Sequence, residues 1–220
     1  MKRKSNPVPP EKTAPPIEDL IVLVADLDQE MTLKGLLDAP HRLSIRAVQY
    51  KVIRHQGRDV GCCTDSHTFL RPFINQYHHA LVIFDQHGSG GDNLPVGALE
   101  DRVQKQLNRN GWDGRSNVVV IAPELERWVW STSPIVDEVI GWKEEDSTLR
   151  EWLLEKKWLK VGSSKPDKPK EALEAAMRHI KKPRSAALYQ QLAQRLPLES
   201  CTDVHFNRLL EILRKWFPAE

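Results

Sequence analysis

Acidic side chains follow the apolar runs of this sequence, at positions that a parallel sheet would bring together. Asp26 and Asp28 end or follow the run LIVLVA, Asp85 ends the run HALVIFD, and Glu124 and Glu126 follow NVVVIAP. Carboxylates crowded at one site raise one another's pKa unless a divalent cation neutralises them, and Mg²⁺ takes carboxylate oxygens as ligands. We therefore expect these five side chains to form a Mg²⁺ site that activates water and stabilises the charge developing on a phosphodiester.

Four of the residues near these strand ends are the expected catalytic groups, namely Asp26, Asp85, Glu126 and His87. His87 lies in the segment DQHGSGGD, two residues after Asp85, and is a candidate metal ligand or general acid. The glycines of this segment permit positive φ and a close approach of the backbone to a ligand. The segment lacks the Gly-Lys-Ser/Thr ending of a Walker A loop, which argues against a nucleotide site of that kind.

A structural interpretation of the same acidic residues remains open. Asp26 and Asp28 are typical of a helix cap and first turn, as Glu124 and Glu126 are of the first turn of a later helix. Under this interpretation His87 is an exposed loop residue without a chemical role. The two interpretations differ in one respect, which is whether the carboxylates converge.

The elements that must position these residues alternate between strand and helix. Short apolar runs predict strands buried on both faces, at 20–26, 45–53, 79–85 and 117–123. Helical patterns at 66–77 and 97–112 precede the third and fourth strands. The order predicts an α/β fold with a mostly parallel four-stranded sheet flanked by helices. Ligands of such sheets bind beyond the carboxyl ends of the strands, where the acidic residues are expected.

The remaining chain divides into a leader and a helical part. Residues 1–16 hold five prolines and no apolar periodicity, which predicts a disordered basic leader. We assign 17–145 to the α/β domain and 146–220 to an all-helical C-terminal extension, beginning with a helix at 147–158. Three tryptophans near the boundary are expected in core packing, with base stacking as the alternative; they are Trp128, Trp130 and Trp142.

Basic residues cluster in the helical part. The segment 160–184 carries a net charge of +5, and such a segment gains free energy by releasing counterions from nucleic acid. The candidate nucleic-acid contacts are Lys165, Lys168, Lys170, Lys181, Lys182 and Arg184. A solvated helix surface, or docking on an acidic protein partner, explains the same charges.

Composition restricts the class of protein. The chain has 220 residues, of which 40% are hydrophobic, which is enough for a sizeable core. No apolar run reaches the roughly 20 residues that span a bilayer, so we expect no membrane association. Three cysteines, two of them adjacent, make no disulfide framework, and a reducing cytoplasm is the expected compartment.

Several stretches together resemble a known family. IVLVADLDQEMTLKGLL, FLRPFINQYHHALVIFD, APELERWVWSTSPIVDEVIGW and KKPRSAALYQQLA resemble bacterial proteins that form a component of a methylation-associated anti-phage defence system. The resemblance spans about residues 18–220. It implies a role beside a DNA methyltransferase and other defence proteins that distinguish host from invading DNA.

A more distant resemblance, in strand order and in the stretch PELERWVW, is to Toprim-like proteins, which include metal-dependent nucleases. Those proteins place a glutamate after the first strand and an Asp-x-Asp pair after the third. Here the first position falls near Asp26 or Asp28, and the pair reads Asp85-Gln86-His87, so the second aspartate is missing. Two hypotheses follow: a Mg²⁺-dependent nuclease acting on DNA, or a non-catalytic Toprim-like module that binds other defence subunits or DNA.

Overall fold

The computed structural model describes residues 17–143 and 147–219. The predicted leader at 1–16 and the predicted domain boundary between 145 and 146 lie outside these residues. None of the helices in these two ranges combines the length and the apolar character that crossing a bilayer requires.

The centre of the fold is a four-stranded sheet in which every strand pair is parallel, with the order β2-β1-β3-β4. The strands are β1 (Glu18–Val24), β2 (Tyr50–Arg54), β3 (Tyr77–Asp85) and β4 (Ser116–Ile121). This confirms the predicted α/β class and four-stranded sheet. β1 and β3 are neighbours although β2 lies between them in the chain, so the direction of strand addition changes there, where parallel sheets commonly bind ligands.

Alternate residues of each strand enter two separate cores, which is why the strands read as continuous apolar runs. On β1, Leu20, Val22 and Val24 pack on one face of the sheet, whereas Ile21 and Leu23 pack on the other. Both faces are therefore covered, as predicted.

Ten α-helices are present in the described residues. They are α1 (Leu27–Leu37), α2 (Pro40–Leu43), α3 (Arg58–Leu70), α4 (Val96–Leu107), α5 (Glu126–Val129), α6 (Ile135–Ile140), α7 (Leu149–Glu155), α8 (Pro169–His179), α9 (Ala186–Arg195) and α10 (Val204–Trp216). Helices α3 and α4 cover one face, and α1 with the C-terminal helices covers the other.

Two predicted boundaries were wrong. The helix expected at 66–77 is α3, which begins at Arg58 and ends at Leu70, because Pro72 starts a 3₁₀ turn and Tyr77 already pairs with Glu18 in the sheet. The strand expected at 45–53 begins only at Tyr50, because Ile45 instead forms an isolated antiparallel bridge with Pro218.

The C-terminal helices share the core of the sheet. Leu173, Leu192 and Leu209, from α8, α9 and α10, belong to the same apolar cluster as Val22 and Ile83 of the strands. The three tryptophans near the predicted boundary are buried in this cluster, in agreement with core packing. The helical part thus completes the fold on one face of the sheet.

Candidate functional site

Asp26 and Asp85 lie at the carboxyl ends of the neighbouring strands β1 and β3, and the side chain of Gln29 connects them. The Gln29 amide nitrogen donates to Asp85 Oδ1 at 3.0 Å, and its Oε1 accepts from the Ala25 backbone N–H at 2.9 Å. The Gln29 backbone N–H donates to Asp26 Oδ1 at 3.0 Å, so Asp26 caps α1. The crevice between β1 and β3 is therefore bridged by a buried residue of the protein itself.

A third carboxylate, Asp59, joins this group from the first turn of α3. Its Oδ1 accepts the Asp85 backbone N–H at 2.8 Å. Sequence reasoning missed Asp59 because it lies six residues beyond the end of the strand predicted at 45–53, whereas only residues close to each strand end were considered.

Burial and mutual repulsion shift the proton affinity of this acidic group. Burial, together with the charges of Asp59 and Glu126, raises the pKa of Asp85 well above its ordinary value. Burial likewise raises the pKa of Asp59, with a contribution from Asp26. Asp59 and Asp85 therefore bind a proton more readily than isolated carboxylates do.

Asp28 and Glu126 form a separate group around Arg184. Arg184 Nη1 lies 2.9 Å from Glu126 Oε1, and Nη2 lies 2.5 Å from Asp28 Oδ2. The hydroxyl of Tyr189 also donates to Glu126 Oε1, at 2.7 Å. Glu126 is only 3% exposed, so its charge is balanced inside the protein by a guanidinium from the segment before α9.

Glu124 and His87 form a third group, in which the two side chains are only loosely connected. Glu124 Oε1 accepts the Lys170 backbone N–H at 3.0 Å, near the start of α8. His87 Nδ1 is 3.8 Å from Glu124 Oε2, and the His87 side chain is 70% exposed. Burial raises the pKa of Glu124, with a contribution from Glu126. Glu124 thus stabilises the first turn of α8.

The predicted Mg²⁺ ligands are therefore divided among these three groups of side chains. Asp26 and Asp85 share Gln29, Asp28 and Glu126 share Arg184, and Glu124 binds the backbone of α8. Within 17–143 and 147–219, no group of three or more His, Cys, Asp or Glu side chains has an arrangement that could hold a metal ion. The residues as placed do not fit a Mg²⁺ site, which needs several oxygens at about 2.1 Å from one point.

The glycine segment after β3 folds on itself. Asp92 Oδ1 accepts the Gly88 N–H at 2.8 Å, and Ser89 Oγ donates to the Gln86 carbonyl at 2.7 Å. Gly88 and Gly90 both have positive φ, which explains their type. The segment turns the chain from β3 toward α4, and the side chains of Ser89 and Asp92 form hydrogen bonds with the backbone of the turn.

Three of the six predicted nucleic-acid contacts donate to other groups of the protein, although only Lys165 among them is buried. Arg184 holds Asp28 and Glu126, as described above. Lys165 is buried and donates to the Arg127 carbonyl at 2.8 Å. Lys182 Nζ donates to the carbonyls of Val139 and Ile140 at 3.0 and 2.9 Å, at the end of α6. These contacts use part of the donor capacity of the three side chains within the protein.

The other three predicted contacts do not form one surface. Lys168 and Lys170 lie at the start of α8, whereas Lys181 follows its end. A helix of 11 residues is about 16 Å long. The basic segment thus presents separate charges rather than a continuous phosphate-binding stripe.

A polar cleft of about 710 Å³ lies beyond the carboxyl ends of β1 and β2. Its charged lining residues are Asp26, Asp28, Glu30, Arg54, Arg58 and Arg184. Arg54 Nε pairs with Glu30 at 2.9 Å, and Arg184 pairs with Asp28. In the described part of the chain, Asp26 and Arg58 have no oppositely charged partner within 4.0 Å. Arg58 also has a φ of 51°, a conformation that costs free energy for a residue with a Cβ.

Comparison of the chain with protein-family models, curated proteins and solved structures gives no match.

Proposed function

We propose that this protein is a component of a bacterial methylation-associated anti-phage defence system, in which it acts as a non-catalytic Toprim-like module that binds another defence subunit. The observation that carries the proposal is the network around Arg184. It neutralises Asp28 and Glu126 within the protein, and so removes two of the carboxylates on which a metal-dependent reaction depends.

The cleft beside this network is the surface that best fits a binding role. It lies at the carboxyl edge of the sheet, beside the β1–β3 crevice where parallel sheets commonly bind ligands. Among the described residues, its lining contains one anion, Asp26, and one cation, Arg58, without an oppositely charged partner within 4.0 Å. Leu27, which also lines it, is 44% exposed. An apolar side chain beside unpaired charges of both signs suits a protein surface of complementary charge.

A protein partner fits the basic residues better than DNA does. Nucleic acid selects a continuous row of free cations, whereas Lys165, Lys182 and Arg184 are held by internal hydrogen bonds.

The proposal is tested by comparing two variants in a phage-protection assay, with co-purification of the other defence proteins as a second readout. Asp85→Asn keeps the oxygen that accepts from Gln29 and should leave protection and co-purification unchanged. Arg58→Glu reverses the unpaired cation of the cleft and should reduce both. Lys168→Glu, at an exposed position outside the cleft, is the matched charge control and should behave like the unchanged protein.

The competing function is the Mg²⁺-dependent nuclease, for which Asp26, Asp85, Glu126 and His87 were the expected catalytic groups. Purified protein should be incubated with Mg²⁺ and methylated or unmethylated DNA. Cleavage that Asp85→Asn abolishes, while the variant still assembles with its partners, would overturn the binding proposal. The absence of cleavage by the wild-type protein together with loss of assembly in Arg58→Glu would support it.

A further inference from the structure

A second polar cavity, separate from the cleft of Arg58, contains a buried amine. The cavity has a volume of about 430 Å³ and lies between the chain after β4 and the start of α10. Its polar lining residues are Gln86, Arg127, Ser164, Lys165, Thr202, Asp203 and His205. Its size falls in the range of small-molecule sites, which is roughly 300 to 1,000 Å³.

Lys165 is the unusual member of this lining, because the residue is only 7% exposed. Its Nζ donates to the Arg127 carbonyl at 2.8 Å and to Cys201 Sγ at 3.9 Å. In its neutral form the amine has two N–H bonds, which these two acceptors can take, and a lone pair that can react with a carbonyl carbon. Burial lowers the pKa of Lys165, although Cys201 and Asp203 oppose the shift.

The nearby carboxylate, Asp203, does not depend on Lys165 as its counterion. Arg127 Nε lies 3.4 Å from Asp203 Oδ2, and Oδ1 accepts from the indole N–H of Trp128 at 3.1 Å. The backbone N–H groups of His205 and Phe206 also donate to Oδ1. Asp203 is thus fully used as the cap of α10, and its charge is balanced without the amine.

We propose that Lys165 is a carbonyl-binding residue whose ligand is a small aldehyde or keto acid carrying a carboxylate or phosphate group. The amine nitrogen adds to the carbonyl carbon, and loss of water then gives an imine. A C=N bond forms, both C–O bonds of the carbonyl are broken, and the oxygen leaves as water with the two amine protons. No oxidant or reductant takes part. The hydroxyls of Ser164 and Thr202 provide polar contacts for the anionic end, and Arg127, with a side chain 37% exposed, provides a cation that Asp203 shares.

The proposal is tested by trapping the imine on the full-length protein. The probe is pyridoxal 5′-phosphate, an anionic aldehyde, added at neutral pH and followed by borohydride, with peptide mass spectrometry to quantify modification at each lysine. Because free amine is the reactive form, we expect the initial rate at Lys165 to exceed that at exposed Lys168 by at least about fivefold. Propionaldehyde, a neutral probe, should show a smaller preference for Lys165.

Two variants provide the controls. Lys165→Met should remove the fast-labelling site, whereas Lys168→Met should keep it. Labelling of Lys165 at or below the rate of Lys168 in the wild-type protein would overturn the proposal, and this comparison does not depend on the folding of any variant. Equal preference for the anionic and the neutral aldehyde would overturn the assigned ligand class.

Discussion

Arg184 shows how a single side chain can neutralise carboxylates that the sequence pattern assigns to a metal site. Its guanidinium lies between Asp28 and Glu126, two residues that sequence reasoning assigned to a metal. The same arginine was assigned to DNA. Both assignments treated the charges as available to a ligand, whereas in the fold they satisfy one another.

Arg184→Met should lower the free energy of unfolding by about 3 kcal/mol, because it leaves the buried carboxylate of Glu126 without a cation. The measurement is urea-induced unfolding at neutral pH. Arg178→Met removes an exposed cation from α8 and should change stability by less than about 0.5 kcal/mol. The double variant Arg184→Met/Glu126→Gln should recover part of the loss, since no buried charge remains. Equal stability of the Arg184 and Arg178 variants would contradict the structural role of this network.

The raised pKa of Asp85 has a consequence for stability at different pH values. Because burial, Asp59 and Glu126 raise the folded-state pKa above the unfolded value of about 3.9, the folded protein binds the proton more tightly. Stability therefore falls as pH rises through the unfolded value and stops falling above the folded pKa. Asp85→Asn removes this dependence. The free energy of unfolding of the variant, compared with that of the wild type, should therefore be more favourable at about pH 7 than at about pH 3.

Asp92 is the control of opposite sign. The Gly88 N–H lowers the pKa of Asp92, so its contribution is present above the unfolded pKa and is lost as pH falls through the folded one. Asp92→Asn should be more destabilising at neutral than at acid pH. If both variants changed the pH profile of unfolding in the same direction, the assignment of the raised pKa to Asp85 would be wrong.

At the scale of elements, the contact between α1 and α9 depends on the absence of a side chain. A Cβ on Gly35 of α1 would lie 2.7 Å from the Gln190 carbonyl oxygen and 2.9 Å from Ala193 Cβ. The first of these neighbours is backbone, which cannot move away without displacing α9. This close contact holds a C-terminal helix against α1, the helix that Asp26 caps.

Gly35→Ala should therefore destabilise the protein by about 1 to 3 kcal/mol, even though alanine is the better helix former. Gly97→Ala, in α4, is the matched control, because a Cβ there meets nothing within 4 Å. It should be neutral or stabilise by up to about 1 kcal/mol. Thermal unfolding of the two variants gives the comparison, and a stabilising Gly35→Ala would show that α1 and α9 are not in close contact.

At the scale of the whole molecule, the sheet and the C-terminal helices belong to one apolar core. Leu209 of α10 is fully buried in the cluster that contains Val22, Ile83 and Val119 of the sheet. The core therefore includes residues from both sides of the predicted boundary at 145. We expect the chain to unfold as one cooperative unit.

Leu209→Ala should lower the free energy of unfolding by about 3 kcal/mol, and it should do so for the sheet as well as for the helices. Far-UV circular dichroism and hydrogen exchange of β1 and β3 amides provide the two readouts. Exchange protection of the strands should fall together with the helical signal. Unchanged protection of the strands would mean that the C-terminal helices form an independent unit.

The sequence alone was sufficient for the order of the four strands along the chain, the α/β class and the placement of Asp26 and Asp85 at one edge of the sheet. These features depend on local patterns: an apolar run buried on both faces, or a turn residue directly after it. The boundaries of α3 and β2 were not accessible in this way, because they depend on Glu18 pairing with Tyr77 and on Ile45 pairing with Pro218.

Only the tertiary structure determined which charged and polar side chains contact one another. Asp85 is 56 residues from Gln29 in sequence, and Arg184 is 156 residues from Asp28. Neither separation leaves a periodic signal, since the contacts arise from how α3 and α9 pack on the sheet and on α1. Residue types and strand order therefore indicated where charged groups would lie. Long-range packing determined that Gln29 and Arg184 would contact their carboxylates and that Asp59 would lie beside Asp85.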